Sequence, residues 1–257
     1  MDATWMVTVA MAGFVLSHLA LGLPPLRPRL IEALGESRFL ALFSALAALS
    51  LFAVAFGLAT SVLEPREPAA PSPAYVRLTV GLISGSGFVL ALLGLMHYPR
   101  SPMALFRTQI RPASGVQLIT RHPFFVGFAI WALAHASIAS TGATCVFFIS
   151  IGLFSLSGAL IQDWKLAKKW GAPYRDYCQR TSFLPFVAMV RDRRWPRAIS
   201  KSLLIALPIC FSLALAHQWT SALNGAVFVG AIACGGVFVS VRRWRLGKAK
   251  QATAAEP

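Results

Sequence analysis

Ile119-Thr-Arg-His-Pro-Phe-Phe-Val-Gly-Phe-Ala-Ile-Trp-Ala-Leu-Ala-His-Ala-Ser137 opens on a charged boundary marked by proline, then runs apolar long enough to enter a bilayer. Proline suits the first position of a helix, where its missing N–H would have no intrahelical partner anyway. The stretch therefore predicts a helix that begins at Pro123, with Arg121 and His122 at its mouth and His135 deep inside it. On that helix Phe124, Phe128, Trp131 and His135 are spaced i, i+4, i+7 and i+11, which places them on one face. An imidazole at the end of an aromatic stripe, inside a membrane, needs a partner elsewhere in the chain.

The rest of the composition fits a membrane setting. Of the 257 residues, 56% are hydrophobic and only 13% are charged, against about 25% charged in soluble domains. Long apolar runs fall near residues 4–23, 39–63, 76–97, 123–140, 143–162, 201–219 and 221–241. Since a span needs about 20 such residues, the expected fold is all-α: a polytopic helical bundle of about seven spans. No basic residue precedes the first run, so that run is expected to be a retained span rather than a cleaved signal peptide.

The net charge of +15 is explained by topology. Of the 24 Lys and Arg residues, 22 fall on one set of alternate connections and 2 on the other. The positive-inside rule then places the N-terminus outside and the C-terminus in the cytoplasm of a bacterial inner (plasma) membrane. The expected partners are anionic lipid headgroups and a lipophilic small molecule. Nucleic acid is excluded as a partner, because nothing beyond bulk charge points to it. The connection around residues 64–73 is Pro-rich and expected to be extended. Residues 163–200 are expected to begin as a basic helix continuing the fifth span, breaking at Gly171 and Pro173, with Trp164, Trp170 and Trp195 at the membrane surface.

None of the nine acidic residues lies inside an expected span, which removes the usual groups for carboxylate-based ion pumping. Four cysteines form no CxxC pair and no haem-attachment motif, so they are read as free thiols. The intramembrane ionisable set reduces to His18 and His135. Each could ligate a haem iron, hold another metal, or make a structural hydrogen bond to a neighbouring helix. His97, His122 and His217 lie at helix ends, His122 beside Arg121 at a helix N-terminus suited to anions.

Leu16-Ser-His-Leu-Ala-Leu-Gly-Leu-Pro-Pro-Leu-Arg-Pro-Arg29, Leu34-Gly-Glu-Ser-Arg38, Ile119-Thr-Arg-His-Pro123, Ile130-Trp-Ala-Leu-Ala-His135 and Thr181-Ser-Phe-Leu-Pro-Phe186 together resemble the NnrU family. The resemblance covers roughly residues 10–186. It leaves 187–257 as an unrecognised two-span extension with a basic tail, after an NnrU-like domain over 1–186. It implies an integral membrane protein tied to denitrification, that is, to nitrite and nitric oxide metabolism. The family also includes a haem b enzyme that turns a central cis double bond of a carotenoid to trans. The resemblance therefore implies haem b as cofactor, with His18 and His135 as axial metal ligands. Phe14, Phe128 and Trp131 would line its pocket. That isomerase has a cysteine three residues before the second histidine, where this chain has Ala132.

A second resemblance starts from Arg121-His-Pro-x-x-x-Gly127 and Trp170-Gly-Ala-Pro-Tyr-Arg-Asp-Tyr177. These are similar to a membrane methyltransferase family that modifies isoprenylcysteine and phospholipid amines. It implies that Arg121 and His122 help bind S-adenosylmethionine, with Tyr174 and Tyr177 nearby. The acidic pair usual in that family is replaced here by Gln162-Asp163.

Overall fold

The computed structural model describes residues 2–23, 26–63, 73–104, 109–193, 203–217 and scattered positions between 226 and 241. The described helices are α1 (Ala3–Gly22), α2 (Leu26–Leu34), α3 (Glu36–Leu63), α4 (Ala74–Met96), α5 (Pro123–Ala136), α6 (Gly142–Trp170), α7 (Ala172–Gln179), α8 (Val187–Arg191) and α9 (Leu203–His217). No strand occurs among the described residues, so the all-α expectation stands.

Among the described residues four helices, α1, α3, α4 and α6, are long and apolar enough to cross a membrane. Their side chains are arranged for lipid rather than water. At most 28% of the most apolar stretch of each is buried, and large residues such as Leu49, Phe56, Leu78, Leu82 and Leu160 are exposed. A water-soluble protein rarely exposes so much contiguous apolar surface. α5 has 14 residues and α9 has 15, both shorter than the expected spans. α5 ends before its apolar run does: the Ser137 hydroxyl donates to the Ala134 carbonyl, and the chain turns over Ser137–Ala139. Most of the expected span at 221–241, residues 64–72 of the Pro-rich connection, Trp195, the side chain of His217 and the basic tail lie outside the described residues.

The chain divides into two compact units. The first holds α1, α2, α3 and the opening turns of α6. Asp2 caps α1, its side chain accepting from Thr4 N at 3.1 Å, and Ala3, Val7, Met11 and Phe14 form the buried stripe of that helix. α3 packs against it, and Ala48, Val54, Leu58 and Ser61 are among the buried residues of α3.

The second unit holds α4, α5, the rest of α6, and α7 to α9. Its centre is the close approach of α4 and α5. Ser84, Gly87, Ala91 and Gly94 share one face of α4 at the i, i+3, i+7, i+10 spacing, and Gly127 faces them from α5. A Cβ on Gly87 would lie 2.7 Å from both Gly127 O and Trp131 N, so the two backbones touch. Small residues allow this, and within a bilayer such packing replaces the hydrophobic drive available in water. α6 stops at Gly171, whose φ of +60° is open to glycine without strain, and Pro173 sits in the first turn of α7.

Candidate functional site

The second unit contains two constellations built from the opening stretch, one at each end of α5. At the N-terminal end, Asp163 on α6 gathers three side chains. Arg121 donates through Nε to Asp163 Oδ2 at 2.9 Å and through a terminal nitrogen to the same oxygen at 2.6 Å. His122 Nε2 donates to Oδ1 at 2.5 Å, and the Tyr174 hydroxyl donates to Oδ1, also at 2.5 Å. His122 is 1% exposed, Arg121 17% and Asp163 19%, so the pairs lie in a partly desolvated niche. Burial, then the hydrogen bond to Asp163, pushes the Tyr174 hydroxyl well above the ordinary tyrosine range, so it remains a donor. Burial likewise pushes Tyr177 and the Cys178 thiol up.

The backbone that presents Arg121 and His122 is clamped by the segment 181–186. Arg121 N donates to Ser182 O at 2.9 Å, the Thr120 hydroxyl to Phe183 O at 2.6 Å, and Phe186 N to Ile119 O at 2.8 Å. Phe186 takes the left-handed conformation, φ 69°, at this clamp. That is an uncommon backbone for a bulky residue, held here by bonds on both sides. The Arg121 guanidinium also lies 5.5 Å over the Phe183 ring. Two segments some sixty residues apart are thus one structural feature.

This end of α5 has a chemical limit. Asp163 accepts from Arg121, His122 and Tyr174, which uses its oxygens, so it is poorly placed to take a proton from a substrate. The cluster joins α5, α6 and α7 and fixes where the apolar helix begins.

At the other end the aromatic stripe is present as a ladder. Phe124 stacks on Phe128 at 5.8 Å and 8°, and Phe128 on Trp131 at 5.0 Å and 13°. Trp131 meets the His135 ring at 4.8 Å. His135 Nδ1 donates to the Trp131 carbonyl at 2.8 Å and lies 3.2 Å from the Ser84 hydroxyl on α4. A bond from Nδ1–H to a carbonyl fixes the tautomer and puts the acceptor lone pair of a neutral ring on Nε2, the usual arrangement of a metal-binding histidine.

His18 lies in the first unit. Its Nδ1 donates to the Phe14 carbonyl at 3.0 Å, and its ring packs 4.2 Å from Phe14 and 4.7 Å from Phe43. Each imidazole thus has the donor chemistry of an axial haem ligand, among the aromatic groups such a ligand site uses. His97 makes the same internal bond, to Leu93 O at 2.9 Å, so the bond alone does not mark a ligand. No group of three or more His, Cys, Asp or Glu suited to a metal ion occurs among the described residues.

The structure therefore brings Phe128, Trp131 and His135 together, and separately Arg121, His122 and Tyr174. Tyr177 is buried beside Tyr174, the rings 5.9 Å apart. Sequence reasoning missed Asp163 and Ser84 as partners. Asp163 had one signal: it is the acid that ends a long apolar run in a chain with few acids. Ser84 had none beyond being a small polar residue among apolar ones.

Apolar helices packed through glycine, with polar clusters confined to helix ends and interiors, define a polytopic α-helical membrane protein. The family model described as NnrU protein matches residues 6–237, and the chain belongs to that family. It is also similar to the chloroplastic 15-cis-zeta-carotene isomerase of Arabidopsis thaliana, 39% identical over 83 residues, which is 32% of this chain and 22% of that protein. The Zea mays protein of the same description is 37% identical over 83 residues, with the same shares. The aligned part thus spans about a fifth of the length of these relatives. No solved structure matches.

Proposed function

We propose that this chain is a haem b-binding membrane isomerase acting on a cis double bond of a long polyene, with His18 and His135 as the imidazole ligands. The observation that carries the reading is His135, oriented by the Trp131 carbonyl and the Ser84 hydroxyl at the end of a stacked aromatic ladder. The similarity to the two carotene isomerases supports the substrate class. When bound, haem would supply a redox-active iron at these imidazoles. The chain's own part is to hold the ring of His135 in one tautomer and to offer flat aromatic faces to a conjugated chain. A polyene already dissolves in the bilayer, so a lipid-facing site suits it.

The proposal includes about seven spans, with the N-terminus outside and the C-terminus on the cytoplasmic side of a bacterial inner membrane, following the asymmetry of the basic residues. A role in nitrite and nitric oxide metabolism is a second reading, supported by membership of the NnrU family. Arg121 and His122 are engaged by Asp163 within the chain, so no contact here favours the methyltransferase reading.

The test is a reaction in vesicles containing the purified protein, haem and a carotenoid with a central cis bond. Conversion to the trans isomer should follow haem occupancy, and His135→Ala should reduce the rate by about a hundredfold, the loss typical of one group acting in the transition state. A haem-loaded protein that leaves the cis bond unchanged, in both oxidised and reduced states, would remove the isomerase half of the reading.

A further inference from the structure

A cavity of about 240 Å³ lies in the second unit, where α4 ends and α5 begins. It borders the Asp163 cluster through Pro123 and Gln162 and shares Phe124 with the aromatic ladder, but the function proposed above assigns no role to its polar lining, Gln117 and His97. Gln117 lines it, 2% exposed, and its Nε2 is buried with no hydrogen-bond partner. The amide orientation is set by chemistry: Gln117 Oε1 accepts from Ser114 N at 3.3 Å, so the NH2 is the group left over. A buried donor without an acceptor is costly and calls for an explanation. His97 lines the same space, 4% exposed. Its Nδ1 donates to Leu93 O, so in the neutral ring Nε2 is an acceptor. Phe124 and Phe125 supply aromatic walls, and the exposed Leu95 and Tyr98 mark the side on which the cavity opens. Among the described residues, no Asp, Glu, Lys or Arg lines it.

We propose that this cavity binds the uncharged ring headgroup of a membrane-dissolved lipid, a six-membered ring carrying a carbonyl or hydroxyl oxygen. Gln117 Nε2 donates to that oxygen, His97 Nε2 accepts from it when it is a hydroxyl, and the phenylalanines flank the ring. The volume sets the size of the ligand. Drug-sized ligands take about 300–1,000 Å³, so the cavity holds a ring while the tail runs past Leu95. The described lining carries no charged side chain, which favours a neutral headgroup over a phosphate. A quinone and the oxygenated end ring of a polyene share this chemistry.

Binding is measured on the full-length protein in detergent by intrinsic fluorescence, with three probes. Decylubiquinone represents the quinone, 3-hydroxy-β-ionone the oxygenated end ring, and decylbenzene an apolar ring without oxygen. Saturable binding of either oxygenated probe, with decylbenzene at least tenfold weaker, is expected, and the tighter of the two identifies the source. Gln117→Leu should weaken the oxygenated probe about tenfold, the effect of one lost hydrogen bond, and leave decylbenzene unchanged. Should Gln117→Leu fail to fold through loss of the Ser114 bond, Gln117→Glu above pH 8 keeps the acceptor, removes the donor and decides the matter. Equal binding of all three probes, no binding to wild type, or unchanged affinity in the folded variant would overturn the proposal.

Discussion

Gly127→Ala is expected to be among the most damaging single substitutions in this chain, lowering stability by about 3 kcal/mol. The added Cβ would press on the backbone of α4 at Ala91 N and Gly87 O, and a backbone cannot rotate away as a side chain can. The helices must separate, which loosens Gly87 and Gly94 along the same seam. That separation also pulls Ser84 from His135, now 3.2 Å apart. The substitution should therefore reduce haem retention as well as the melting temperature in detergent, although residue 127 touches no ligand. Gly85→Ala is the control, because a Cβ there meets nothing within 4 Å; it should leave both readings near wild type. Equal behaviour of the two variants would mean that the α4–α5 contact does not set the position of His135.

Asp163→Asn is the second large effect. The substitution keeps the shape but turns one acceptor into a donor facing Arg121, leaving a guanidinium at 17% exposure without its counter-charge. Stranding one member of a fully buried pair costs about 3–5 kcal/mol. The partial exposure here brings the expected loss to about 2–3 kcal/mol. Tyr174→Phe removes one neutral donor and should cost about 1 kcal/mol. Because Arg121 and Asp163 share one interaction, Arg121→Ala with Asp163→Asn should cost clearly less than the sum of the single changes. Thermal melts of the four variants in one detergent check this, and strict additivity would show that the pair does not interact in solution.

How much of this was legible in the sequence follows from the kind of signal each feature leaves. The aromatic ladder was legible because a helix repeats every 3.6 residues and Phe124, Phe128, Trp131 and His135 keep that period. The start of α5 was legible from Pro123, and the break after α6 from Gly171 and Pro173. The end of α5 was not, since the apolar run continues to residue 140 while the backbone turns at Ser137. Asp163 was visible as an acid at the end of an apolar run, but its partners Arg121 and His122 lie about forty residues away in sequence, and only the packed helices bring them together. Gly87, Gly94 and Gly127 carry no apolar periodicity, so the seam they form was hidden among residues that look like ordinary apolar filler.

The reading of this protein as a haem b isomerase is tested most directly by a pyridine haemochrome assay with a visible spectrum. It is applied to wild type, His18→Ala, His135→Ala and His97→Ala purified from haem-supplemented cells. The account predicts near-stoichiometric haem b in wild type and His97→Ala, and its loss or a changed Soret band in each of the other two. A colourless, well-folded wild type, or full haem retention in both His18→Ala and His135→Ala, would contradict it.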